Sequence, residues 1–295
     1  ALNSNDFHYE NLIAVGEEPV LIDLETLLQP QFDRLDVSRA ELAAEKLIVD
    51  SVMQVNLLPL RMWSSEGYAG IDISGLGGAA GQLSPDRLPQ LTGSGTDAMR
   101  YERQRIELSG DSHRPTLRGA EVDAAGYLEE VVAGFARMYR LLMAQRAQLL
   151  ADDGPLRRFA QDEIRVLLRP TRTYDQLLFE SFHPDMLRDA LERDRFLDRL
   201  WVAVAERGYL ARVIQAELAD LHQGDIPIFT TRPASLDLFG ASGAGIADVL
   251  VESGLAMVQR RFEQLSEADL ERQVWFIRAS FATLAAEGAA QEWAS

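Results

Sequence analysis

At 295 residues, with 47% hydrophobic and 25% charged residues, the chain has globular balance and can bury one large core or two smaller ones. A formal charge of −17 and an isoelectric point near 4.7 exclude nucleic acid and anionic membrane as main partners, because the summed field repels phosphates. The absence of Cys excludes a disulfide framework and a thiolate zinc site. No apolar run is long enough to span a bilayer and no signal peptide is legible, which predicts a cytoplasmic protein.

The first elements read as a hairpin. Asn11 to Val15 and Val20 to Asp23 are short apolar runs separated by Gly16-Glu17-Glu18-Pro19, the pattern of two strands joined by a turn, and Asp6 and Asp23 flank it. Ser38 followed by Glu41 is a capping-box pair, and Leu42, Ala43 and Leu47 behind it predict a helix leading to a β-like run over Val52 to Leu60. From Ser64 to Asp97 the chain is rich in Gly, Ser and Pro, including Gly75, Gly77, Gly78 and Gly81, which predicts a long mobile loop. From Asp123 onward Tyr127, Val131, Phe135, Met138 and Leu142 recur at helical spacing and predict a long amphipathic helix. Leu156 to Leu168, Pro184 to Leu200, Tyr209 to His222, Ala247 to Gln264 and Asp269 to Ala286 share that period. The expected fold is α+β and mainly helical, a small β-hairpin element joined to a helical bundle. Its parts are a hairpin region over 1–63, a mobile loop region over 64–122 and a helical part over 123–295.

The most specific pattern is Asp6-Phe7-His8-Tyr9-Glu10-Asn11, followed at the end of the next strand by Asp23. Phosphoryl transfer explains the spacing: in kinases one Asp orients or deprotonates the attacking hydroxyl, an Asn five residues on holds magnesium, and a second Asp after a hairpin binds the magnesium that bridges the nucleotide phosphates. The Arg before the first Asp and the Phe-Gly after the second, both usual in protein kinases, are missing. Asp-x-His-x-x-Asn resembles the lipid-kinase variant instead. Taken alone the short motif is better served by Asp6 capping a turn and His8 packing structurally, since short motifs often match by accident; with Asp23 and the hairpin added the balance reverses toward chemistry.

The run from Asp6 to Ala14, continuing into Pro19-Val20-Leu21-Ile22-Asp23-Leu24-Glu25-Thr26-Leu27, resembles the dehydratase domain of class II lanthipeptide synthetases. Ile164-Arg165-Val166-Leu167-Leu168-Arg169-Pro170-Thr171-Arg172-Thr173-Tyr174 is similar to that domain's second signature, and Gly224-Asp225-Ile226-Pro227-Ile228-Phe229 to a third, with Gln273 to Arg278 closing the likeness. The resemblance implies a kinase-like catalytic lobe that phosphorylates Ser or Thr of a lanthipeptide precursor peptide with ATP and Mg²⁺ and then eliminates the phosphate. By motif, Asp6, His8, Asn11 and Asp23 serve phosphorylation, Asn11 and Asp23 hold magnesium, Glu25 assists at the metal or at His8, and Arg165 and Thr171 serve elimination.

The residue types suit that second step, which needs a cation to receive the departing phosphate, and guanidinium binds phosphate bidentately. Arg165 and Arg169 lie one helical turn apart and are expected to face the same way, with Pro170 ending the helix and releasing Thr171 into a loop. Neutralising an acidic surface is the plain alternative for these arginines. Asp225, among Gly and Pro, reads as a turn residue, and His113, His183 and His222 as structural.

Only five residues precede Asp6, and the sole lysine, Lys46, follows it. The nucleotide-covering lobe that precedes the catalytic loop in kinases and the family's zinc-dependent cyclase domain are not legible, so the chain is expected to be a truncated, excised or split form, incomplete alone, whose parent polypeptide or a partner supplies them, and neither zinc nor cyclisation is expected of this stretch. Two further functions remain open from the residues: a catalytically incomplete peptide-binding module, and a lipid or small-molecule kinase.

Overall fold

The computed structural model describes residues 1–32, 47–62, 71–78, 81–84, 87–107 and 113–294. The chain folds as two compact units that are not successive along the sequence. One comprises Ala1–Ser4, Glu25–Arg39 and Leu142–Leu265, the other Asn5–Leu24, Ala40–Leu141 and Ser266–Ser295. Helix and sheet are mixed, so the α+β expectation holds.

The second unit begins with the expected hairpin: β1 (Leu12–Val15) pairs antiparallel with β2 (Glu18–Leu21), and Val15 stands opposite Glu18. That register leaves a two-residue loop, and Gly16 at φ +60° supplies the positive dihedral that such loops demand. Three more antiparallel pairs follow: β3 (Arg61–Met62) with β4 (Ile71–Asp72), β5 (Leu88–Thr92) with β6 (Arg100–Gln104), and β7 (Thr116–Leu117) with β8 (Ala120–Glu121). Asp123 caps the turn that starts the predicted amphipathic helix, its carboxylate accepting from Ala125 N, and the helix runs over Leu128–Ala144. Val131 and Phe135 on its inner face pack on Leu58, Ile277 and Phe281, the last two from the long helix Glu267–Ala294. Each such buried apolar side chain contributes about 1.5–3 kcal/mol. Val52 N donates to Gln273 Oε1 at 2.9 Å and Ser280 Oγ to the Pro59 carbonyl at 2.6 Å, fastening residues early in the chain to that late helix.

The first unit is built on a four-stranded antiparallel sheet in the order β12 (Gly245–Ile246), β11 (Leu238–Gly240), β10 (Phe229–Thr231), β9 (Ile164–Val166). Val166, Leu168, Leu210, Val213, Phe229 and Leu238 form its main core, and Tyr174, Leu177, Leu197, Leu200, Ile214 and Leu221 a second one among the helices. The segment after Glu25 is laid into this unit by backbone bonds. Gln31 N donates to Glu252 O at 2.9 Å, and Leu28 crosses the start of helix Gly254–Gln264 so closely that a Cβ on Gly254 would overlap the Leu28 carbonyl.

Several expectations are corrected. Val52 to Leu60 is not a strand: Ser51 caps a 3₁₀ turn over Val52–Val55, and Asn56 in the left-handed region ends it, because a local cap and a residue that tolerates positive φ override apolar content. Within the stretch read as a loop, β5 is a full strand paired along its length with β6. Leu156 to Leu168 is not a helix but a 3₁₀ turn (Pro155–Phe159) followed by β9, whose partner β10 lies far along the chain and could not be read locally. The capping pair Ser38 and Glu41, and Lys46, lie outside the described residues.

Candidate functional site

In the unit that contains the hairpin, Asp6 takes φ +73°, a region that short polar side chains tolerate better than other non-glycine residues. Asn11 Nδ2 donates to the Asp6 carbonyl at 2.9 Å and closes the Asp6 to Asn11 segment into a turn. His8 caps the 3₁₀ turn Tyr9–Asn11: its Nδ1 accepts from Glu10 N at 3.2 Å, which places the proton of the neutral ring on Nε2, 3.5 Å from Asp6 Oδ1. Ile22 N donates to the Asn11 carbonyl at 3.1 Å, extending the β1/β2 ladder by one step, so Asn11 and Asp23 emerge at the same open end of the hairpin. The four residues singled out for phosphorylation thus belong to one turn and the strand pair that grows from it.

This turn is backed by the strand and glycine run over 71–78. Tyr9 N donates to Ile73 O at 3.1 Å, His8 and Ser74 form a β-bridge, and Phe7 N donates to Val55 O at 2.8 Å. The run passes so close that a Cβ on Gly75 would stand 2.7 Å from the Phe7 carbonyl, and one on Gly77 2.1 Å from the Asp72 carboxylate. Gly75 and Gly77 therefore serve close packing under the Asp6 turn. His113 is buried there, its ring edge-on to Tyr9 at 5.7 Å and its Nε2 3.4 Å from the Gly77 carbonyl, in keeping with the structural role expected of it.

In the unit built on the four-stranded sheet, Arg165 stands at the middle of edge strand β9, opposite Thr230. Its Nη1 contacts both Glu25 carboxylate oxygens at 2.8 and 2.9 Å, and its Nη2 donates to Thr171 Oγ1 at 3.3 Å. Gln29 Nε2 donates to the Arg165 carbonyl at 2.8 Å, so the segment that carries Glu25 is bonded to the strand that carries Arg165. Thr171 does not lie in a loop. It opens the helix Thr171–Ser181 directly after Pro170, the N-cap residue, whose carbonyl accepts from Thr173 N at 2.8 Å. Arg165 also does not share a face with Arg169. β9 ends at Val166, so the chain has left the strand before Arg169; Arg165 is about a quarter exposed, whereas Arg169 is buried.

Arg169, expected to face the same way as Arg165, instead anchors the segment from within. Its Nε donates to Glu217 Oε1 at 2.7 Å and its Nη2 to Glu217 Oε2 at 3.2 Å and to the Leu200 carbonyl at 3.0 Å. Tyr174 Oη donates to the same Glu217 Oε1 at 2.6 Å. Burial, then the charge of Glu217, pushes the Tyr174 phenol well above its ordinary range, so it remains a donor. A signal was present in the sequence: Glu217 falls on the same helical face as Ile214 and Leu221, an acid on an otherwise apolar stripe. Beside the anchor lies a cavity of about 410 Å³ lined by Arg169, Thr173, Leu177, Arg199, Val202 and Glu206. Asp225 is a turn residue as read, its N–H bonded to Asp220 O beyond Gly224 at φ +88°. Among the described residues no group of three or more His, Cys, Asp or Glu is arranged to hold a metal by itself.

A family model described as "Domain of unknown function (DUF4135)" matches residues 1–232, most of the chain and every site residue named above. The chain belongs to the DUF4135 family. That domain is found in class II lanthipeptide synthetases, the family whose motifs the chain resembles. This DUF4135 chain is also 24% identical, over 285 residues, to the lacticin 481/lactococcin biosynthesis protein LcnDR2 of Lactococcus lactis subsp. lactis. The match takes in 95% of the chain and 29% of that relative, so the chain spans under a third of the relative's length.

Proposed function

We propose that this chain takes part in lanthipeptide modification and carries the dehydration chemistry of a class II synthetase in a kinase-like lobe. In the first step Asp6 accepts the proton of a precursor Ser or Thr hydroxyl as its oxygen attacks the γ-phosphorus of ATP and ADP leaves. His8, held by the Glu10 amide, orients Asp6. Asn11 and Asp23 offer an amide and a carboxylate oxygen from one end of the hairpin, a hard donor pair that suits magnesium when nucleotide phosphates and water complete its shell. Bound magnesium would neutralise charge on the phosphates. Dependence on ATP puts the reaction in the cytoplasm, and no described helix is long and apolar enough to cross a membrane.

In the second step a base removes the Cα proton of the phosphorylated residue, the Cβ–O bond breaks, the electron pair forms the Cα=Cβ bond, and phosphate departs to leave dehydroalanine or dehydrobutyrine. The observation that carries this half is the Glu25–Arg165–Thr171 array. Glu25 aims the guanidinium, and because Thr171 Oγ1 accepts from the cation its own hydroxyl proton is free to be donated to a phosphate oxygen, strengthened by the bond it receives. A plain lipid or small-molecule kinase has no use for such a pair.

The test is mass spectrometry of a lacticin 481 precursor peptide incubated with the protein, ATP and magnesium. Loss of water from the peptide is expected, with Asp23→Asn abolishing all modification and Arg165→Ala slowing elimination about 100-fold or more, so that phosphopeptide accumulates. Phosphorylation that is never followed by elimination in the unsubstituted protein would favour the simple kinase, and an unmodified peptide the binding module.

A further inference from the structure

Glu217 lies outside the motifs and is fully buried on helix Ile214–Gln223, yet it binds residues on both sides of Thr171: Arg169, two positions before, and Tyr174, three after. A carboxylate with no exposed surface is out of reach of substrate, and its contacts with Arg169 and Tyr174 lead back to one short segment of chain. We infer that Glu217 is a positioning residue for phosphate elimination, clamping the Arg169 to Tyr174 turn so that the Thr171 hydroxyl stays within reach of Arg165. The inference rests on the dehydratase assignment above and adds to it a residue that never touches substrate.

The physical case has three parts. Thr171 is the first residue of a helix whose N-cap, Pro170, makes no side-chain cap, so the anchors at Arg169 and Tyr174 add to a backbone bond from Thr173 N to the Pro170 carbonyl at 2.8 Å. The two anchors converge on one carboxylate, with three donor contacts between 2.6 and 3.2 Å. The cavity of about 410 Å³ beside Arg169 gives an unclamped guanidinium room to swing. Loss of the clamp therefore loosens the turn rather than jamming it. An error of about 1 Å in a reacting array is enough to cost on the order of 100-fold in rate, whereas the Asp6 turn belongs to the other compact unit.

The experiment measures two rates on the same protein. Phosphorylation is followed with the lacticin 481 precursor peptide, ATP and magnesium; elimination is followed with a synthetic copy of that peptide already carrying phosphoserine. Glu217→Gln, which keeps shape but loses charge, is expected to slow elimination at least 10-fold while phosphorylation stays within about threefold. Tyr174→Phe, which removes one anchor, is expected to slow elimination by a smaller factor in the same direction. Should Glu217→Gln fold poorly, the paired replacement Arg169→Met with Glu217→Leu leaves no buried charge unpaired; it is expected to melt near the unsubstituted protein and still accumulate phosphopeptide. Equal slowing of both rates, or unchanged elimination in the folded variants, overturns the inference. Arg165→Ala run alongside separates the two layers: if it too spares elimination, the dehydratase assignment falls, and if it alone blocks elimination, only the role of Glu217 does.

Discussion

Thr171 shows how much of the candidate site is set by single residues. Pro170 pre-sets the backbone for a helix start, Arg165 reaches the hydroxyl from the neighbouring strand, and Glu25 holds the guanidinium from a segment 140 residues earlier. Asp6, His8, Asn11 and Asp23 were legible in the sequence because the turn and hairpin that join them are local. The partner of Glu25 was not, since a residue placed near the metal by motif proved to meet an arginine across that interval. Gly75 makes the residue scale testable. Its absent side chain admits the Phe7 carbonyl, one residue from Asp6, so Gly75→Ala should displace the Asp6 turn and cost about 1–3 kcal/mol of stability. The expected outcome is at least a 10-fold fall in precursor phosphorylation with elimination from a phosphoserine peptide unchanged; equal loss of both would show general unfolding instead.

Among the elements, the long helices and the local β1/β2 hairpin were legible, and a short strand with a distant partner was not. Leu128–Ala144 announces itself through Val131 and Phe135 at helical spacing and an Asp123 cap, whereas β9 holds three residues and is a strand only because β10, some 65 positions on, pairs with it. Helix Ile214–Gln223 carries a local conflict of its own. Asp220 sits in its last turn, where the helix dipole presents negative charge, and burial, together with Asp225, raises its carboxyl above the usual range. A carboxyl raised in the folded state binds its proton more tightly there than in the unfolded chain, so stability is lost as pH rises through its titration and the cost is fully present at neutral pH. Asp220→Asn should therefore raise the melting temperature at pH 7 and give no gain below about pH 4. Thermal scans at the two pH values check it, and a gain independent of pH would assign the effect to something other than this charge.

At the scale of the whole molecule the charge of −17 sets the terms for phosphate chemistry. A strongly anionic protein repels nucleotide and phosphopeptide at long range, so in the proposed reaction Arg165 and the Asn11 and Asp23 oxygens would have to act at contact distance. The same excess keeps the protein dispersed at neutral pH. Turbidity is expected to peak as the protein is titrated through its isoelectric point near 4.7 and to clear again at more acid pH, a profile that light scattering would record; solubility that is flat across that range would mean that the surface charge is not what keeps the chains apart.

The interleaving of the two units has a consequence for biogenesis. The Asp6 turn and its hairpin are made before the helix that completes their unit, whose Gln273 and Ser280 each follow their partners Val52 and Pro59 by 221 residues. At a synthesis rate of about 5–20 residues per second, the Asp6 turn waits roughly 10–50 s for the helix that scaffolds it. On the proposed reading, the nascent chain stays unable to phosphorylate until that helix has been made.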